Sequence, residues 1–297
     1  MKIHNDNLDT IEARDGIQAV INRLNDLANE GIYVFRGYGK QEELYPNIIR
    51  DKKSYANREE ALLRDFEKYG SSYFQATTPI DFMSYAQHFG LPTRLLDFTR
   101  NPFIALSFAL YMPKSSNYTV QEDKNYYYVR YASLEENLCI PSIVLNDDMY
   151  NTRWTRTDSL SKRAVQSIDS VTDLFGDNKN NRSCLSLTGL SGKTNDVLIN
   201  EIKIRERVIL FVDPNQSNQR MIMQQGLFMF PYTLDKDDHL DILKKNSCYV
   251  KIHKDLRDKL IQYLDTLGFN TFRLMPDLSS ICGAIKRRNI DKRSNLQ

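Results

Sequence analysis

Gln87-His88-Phe89-Gly90-Leu91-Pro92-Thr93-Arg94-Leu95-Leu96-Asp97-Phe98-Thr99 packs an amide, an imidazole, a guanidinium, a carboxylate and hydroxyls into thirteen otherwise apolar residues. Such groups are costly to bury without partners, so the segment either builds a site or ties itself together. Strand alternation sends Arg94, Leu96 and Phe98 to one face and Thr93, Leu95, Asp97 and Thr99 to the other, which makes Asp97 and Thr99 neighbours. Two chemistries are open at each group. His88 is a general base or a satisfied core imidazole, and Asp97 either stabilises a developing positive charge or forms a structural ion pair with Arg94 ahead of the Pro102 turn. A second arginine, in Phe35-Arg36-Gly37, ends a β-branched and aromatic run, and its guanidinium fork suits bidentate phosphate binding.

Other chemistries lose ground on spacing. Gly189-Leu-Ser-Gly192-Lys193-Thr194 lacks the glycine that a phosphate loop needs five residues earlier, where Leu187 stands, and is read as a polar turn. Cys139, Cys184, Cys248 and Cys282 form no C-x-x-C pair, and His4, His88, His239 and His253 do not cluster with them, so no metal site is expected. Lys+Arg 40 against Asp+Glu 38 gives a net charge of +2, which advertises no polyanionic partner for the chain as a whole. With 41% apolar and 26% charged residues over 297 positions, the chain has the balance of a globular protein and length for a substantial core. The first residues lack a signal-peptide core and no run of 18 apolar residues occurs, so a cytoplasmic protein without a membrane segment is expected.

The elements that must position these groups follow from periodicity. Residues 8–29 carry a 3.6-residue apolar rhythm ended at Gly31, and Ile32–Gly37 reads as a strand. Asn57 with Glu60 suggests a capping box opening a helix to about Tyr69, and another helix is expected over 79–88. After the strand ending at Thr99, Asn101-Pro102 starts a buried helix to Tyr111. Strands are expected at 125–131, 206–212, 226–232 and 247–252, and a last amphipathic helix at 254–267. Residues 146–200 turn polar and read as an insertion or lid within one 1–297 domain, and 286–297 as a basic solvated tail.

The Phe35-Arg36-Gly37 strand end, together with Q-H-F-G-L-P-T-R-L-L-D-F-T, resembles the FRG domain, named for its (F/Y)-R-G motif. Asn218-x-Arg220-x-x-x-Gln224-x-Gly226-x-Phe228 and Leu274-Met275-Pro276-Asp277-Leu278 resemble its later segments, with Met275 in place of the usual Phe and Ser279-Ser280 in place of Asp-Gly. An arginine-ended first strand, a strand ending in a hydroxyl residue before an apolar helix, and a later Glu or Gln together are similar to the order of elements in ADP-ribosyltransferases. That likeness implies an α+β fold with a central, mostly antiparallel split sheet flanked by helices, and NAD as substrate. Arg36, with Gly37 and Arg94, would hold the cofactor; Thr99 would brace the site, Gln224 would orient the nicotinamide ribose, and His88 and Asp97 would join the chemistry. A bacterial toxin, phage-defence or mobile-element setting follows, with a protein or nucleic-acid acceptor and an antitoxin as partners. Glycosidic cleavage of NAD passes through a cationic sugar that a carboxylate stabilises, and Gln224 has no charge to offer. Asp97 supplies that charge, or the cleft binds a nucleotide or partner without turnover; a nuclease or hydrolase using His88 and Asp97 is the third reading.

Overall fold

The computed structural model describes residues 9–50, 58–73, 79–111, 125–141, 208–214, 219–231 and 234–278, with isolated positions between and beyond them. Its strands are β1 (Thr10–Ile11), β2 (Tyr33–Tyr38), β3 (Leu96–Thr99), β4 (Tyr126–Ser133), β5 (Leu138–Pro141), β6 (Leu210–Asp213), β7 (Gly226–Met229) and β8 (Cys248–His253). The helices are α1 (Gly16–Glu30), α2 (Asn47–Arg50), α3 (Glu59–Gly70), α4 (Pro79–His88), α5 (Pro102–Tyr111), α6 (Gln219–Gln224), α7 (Lys236–Lys245), α8 (Arg257–Thr266) and α9 (Thr271–Leu274). The strands form one open sheet in the order β1-β8-β4-β2-β3-β7-β6-β5. Only the β1–β8 and β5–β6 ladders are parallel.

Helices flank both faces, so the α+β class holds. On one face Phe35, Val129, Val250 and Ile252 meet Leu24 of α1, Leu106 of α5 and Leu260 of α8. On the other, Val34, Leu96, Phe98 and Phe211 meet Phe82 and Met83 of α4 and Leu243 of α7. The sheet is mixed and continuous rather than split into two. Its weak seam lies at β2–β3, joined by the single pair Phe35↔Thr99, whereas β2–β4 pairs along all six residues of β2.

Asn101 caps α5 as its sequence predicts, its side-chain oxygen accepting from the Phe103 and Ile104 N–H groups at 2.9 and 3.3 Å. Helix α5 lies so close to β2 that a Cβ at Gly37 would sit 1.7 Å from the Ala105 carbonyl oxygen, so only glycine fits there. The first helix starts later than its periodicity suggests. Thr10 and Ile11 instead add a parallel strand beside Lys251 and Ile252, and Gly16 at φ +75° turns the chain between the two elements. The 146–200 stretch, the tail at 286–297, the Asn57 cap, Cys184 and the Gly189–Thr194 turn lie outside the described residues. Among the described residues no helix is long and apolar enough to cross a membrane.

Candidate functional site

Where β2 and β3 part, the Arg36 side chain takes over from the ladder. Its Nη1 donates to the Asp97 carbonyl at 2.5 Å, while Nε and Nη2 donate to the Glu43 carbonyl at 3.0 and 2.5 Å. Three of five guanidinium donors are thereby spent on main chain. No carboxylate is in ion-pair contact with the guanidinium among the described residues: Asp97 and Glu43 act on it only at longer range, and Glu43 accepts from the Gly39 N–H at 2.7 Å. Burial first, and the neighbouring Arg50 guanidinium second, lower the Arg36 pKa to about 10, leaving it charged at neutral pH.

The thirteen-residue segment is held by its own amide. Thr93 donates its hydroxyl to Gln87 Oε1 at 2.5 Å, and Gln87 Nε2 donates to Asp97 Oδ1 at 2.9 Å. This relay fixes an exposed carboxylate whose other oxygen takes no hydrogen bond among the described residues. Thr99 is 3% exposed and works as a brace: its hydroxyl donates to the Gln224 carbonyl at 2.6 Å and accepts from the Asn101 N–H at 3.1 Å. Gln224 ends α6 rather than standing in a strand, and its Nε2 donates to the Leu274 carbonyl at 2.8 Å.

Arg36, Gly37, His88, Asp97, Thr99 and Gln224 line one cavity of about 270 Å³. They are brought there from β2, the end of α4, β3 and the end of α6. Arg94 does not join them. It is 6% exposed and donates from Nη2 and Nε to Glu59 at 2.7 and 2.9 Å, forming a buried ion pair behind the strand. Asp97 is therefore not the partner of Arg94.

The same cavity is lined by Glu43, Arg50 and Arg220, which sequence reasoning had not placed in the site. Arg220 lies in the N-x-R-x-x-x-Q stretch, so its type and spacing are visible in the sequence; Glu43 and Arg50 fall in one-turn helices too short to give a periodic signal. His88 makes no hydrogen bond among the described residues, and burial, with Arg220 as the second cause, lowers its pKa and keeps the imidazole neutral at pH 7. Three guanidinium groups thus face two carboxylates, a lining with net positive charge that suits an anionic ligand. Among the described residues no group of three His, Cys, Asp or Glu side chains is placed to hold a metal ion.

Neither the curated proteins nor the solved structures contain a match to the chain. A family model does match: the FRG domain, over residues 31–118. That stretch runs from β2 past α5 and holds Arg36, Gly37, His88, Arg94, Asp97 and Thr99, while Arg220 and Gln224 reach the cavity from beyond it. Motif, match and convergent side chains thus fall on the same elements, and it is residues 31–118 that are similar to the FRG domain.

Proposed function

We propose that this cavity binds a nucleotide by its phosphates and acts on NAD as an ADP-ribosyltransferase-like site. The observation that carries the reading is the excess of guanidinium over carboxylate in the lining, set against one carboxylate, Asp97, held in place by Gln87. The two Arg36 donors left after its main-chain bonds, with Arg220, would take phosphate oxygens as charge-assisted bonds. A volume of about 270 Å³ is at the low end for ligand pockets, enough for the nucleoside-phosphate part that reacts, with the remainder at the rim. In the reaction the bond from ribose C1′ to the nicotinamide nitrogen breaks, and its electron pair leaves with neutral nicotinamide. The Asp97 carboxylate would stabilise the cationic sugar until water or a protein or nucleic-acid acceptor adds, and neutral His88 would take the proton that the acceptor gives up.

A second reading is favoured by Gln224. An amide tied to the Leu274 carbonyl offers no charge to a cationic sugar, which fits a module that binds a nucleotide without turning it over. The two readings separate in one experiment. Thermal shift with NAD should raise the melting temperature under both, and nicotinamide release should follow only under the first. Absence of any shift with NAD, AMP or ADP-ribose would overturn both.

A further inference from the structure

The sheet face that carries Arg36 continues beyond the cavity onto β4 and β8. Along β2, β4 and β8 the cross-strand rows read Arg36–Arg130–Tyr249 and Tyr38–Tyr128–Lys251, with Tyr126 and His253 as the next row. Alternation puts all of these on one face, whose strand residues include no acidic side chain; carboxylates stand at its margin, where Glu12 accepts from the Tyr126 hydroxyl at 2.9 Å and Asp255 lies 3.6 Å from His253 Nδ1. The opposite face of β4 and β8 is sealed by Val129, Val250 and Ile252, whereas Tyr126, Tyr128, Tyr249, Lys251 and His253 are only half-buried.

These side chains are already ordered. The Tyr38 and Tyr128 rings stack at 5.1 Å and 14°, and Tyr249 meets Tyr128 edge-on at 5.7 Å. Lys251 Nζ sits 3.9 Å over the Tyr126 ring. Beneath them Arg130, 3% exposed, lies 5.8 and 5.4 Å from the Tyr38 and Tyr249 ring centroids. Its Nη1 donates to Ser247 Oγ at 2.9 Å, its Nε has no partner, and no carboxylate neutralises it among the described residues. An uncompensated buried cation under tyrosine rings adds positive potential to the surface above.

We infer that this face of β4 and β8 binds single-stranded nucleic acid, with bases against the half-buried Tyr126, Tyr128 and Tyr249 and phosphates beside Lys251. Aromatic side chains interleaved with cations on an open sheet suit a strand whose bases are unstacked, whereas a duplex keeps its bases out of reach. The charge complementarity selects this occupant over an apolar protein surface. Arg36, which lies on the same face and lines the cavity, is paired with Arg130 in the same row, yet the inference stands whether or not the cavity cleaves NAD.

The test is fluorescence anisotropy with labelled mixed-sequence 15-nucleotide RNA and DNA strands at low and moderate salt. Binding is expected to weaken with salt, and to fall roughly tenfold for Tyr249→Ala because base–ring stacking is lost. Tyr249→Phe should bind as the native protein does, and Lys251→Glu, with its fold checked by circular dichroism, should also lose at least about tenfold. A matched duplex should compete poorly. Absence of binding at low salt, or binding that Tyr249→Ala and Lys251→Glu leave unchanged, would overturn the inference. So would displacement of the strand by excess NAD or AMP, which would place it in the cavity instead.

Discussion

Arg36 donates to the main-chain carbonyl of Asp97, not to its carboxylate. The two motifs that mark this chain are thus joined through backbone, and the Asp97 carboxylate is left to Gln87 and to the cavity. Asp97→Asn should consequently keep the fold, because an amide oxygen can still accept from Gln87 and the carbonyl still accepts from Arg36. Circular dichroism and melting temperature should be close to native, while NAD cleavage falls by about 10²–10³-fold if the charge stabilises the cationic sugar. A variant that unfolds would return Asp97 to a structural role.

Gly37 answers to packing. A Cβ 1.7 Å from the Ala105 carbonyl cannot be relieved by a rotamer, since the obstacle is helix backbone. Gly37→Ala should force α5 off β2 and destabilise by more than about 3 kcal/mol, at or beyond the upper range for overpacking a core. Urea denaturation measures it, and an unchanged midpoint would contradict the close approach of α5 and β2.

Much of this arrangement was legible in the chain, and the illegible parts share a cause. The Asn101–Pro102 start, the strand carrying Phe35-Arg36-Gly37 and the strand through Asp97 depend on local signals and all three form, although β2 runs one residue further to Tyr38 and β3 begins only at Leu96, so the alternation expected from Thr93 does not reach Arg94. The motif groups Arg36, His88, Arg94, Asp97 and Gln224 and so predicts that they converge; four of them line the cavity and Arg94 does not. The Arg94–Glu59 pair could not be read, since it joins residues 35 apart through tertiary packing alone. Strand β1 was hidden in the apolar rhythm of the first helix. Nor could sequence tell that the β2–β3 seam would be a single residue pair, leaving Arg36 to fill the gap.

Stability should fall as pH drops below the ordinary histidine range. His239 is fully buried, with Nε2 3.0 Å from the Leu44 carbonyl and Nδ1 without a partner among the described residues, and burial, followed by the nearby charge of Arg36 among opposing effects, lowers its pKa. His88 is lowered as well. For a base whose folded pKa lies below its unfolded value, the unfolded chain takes up protons first, so stability is full above about pH 6.5 and is lost as pH falls through that value. Melting temperature measured from pH 7.5 to 5.5 should decline, and the decline should flatten in His239→Gln. A flat native profile would count against the neutral buried imidazole.

Gln224→Glu is the variant that weighs the two nucleotide readings, and its fold cost must be separated from its chemistry. Gln224 Nε2 donates to the Leu274 carbonyl at 2.8 Å; a carboxylate there would face an acceptor with an acceptor, costing about 1–3 kcal/mol. That contact raises the carboxyl pKa of the variant in the folded state, so the loss should grow as pH rises from 5 to 8 and shrink when the group is protonated. Nicotinamide release is therefore best compared near pH 6, with the folded fraction measured in the same samples. If the cavity is an NAD-cleaving site weakened by its amide, release per folded molecule should match or exceed the native protein, because the added charge sits where a cationic ribose would develop. If the cavity only binds, NAD affinity should drop through repulsion of the phosphates while release stays at zero, and nucleotide binding becomes the function of the cavity.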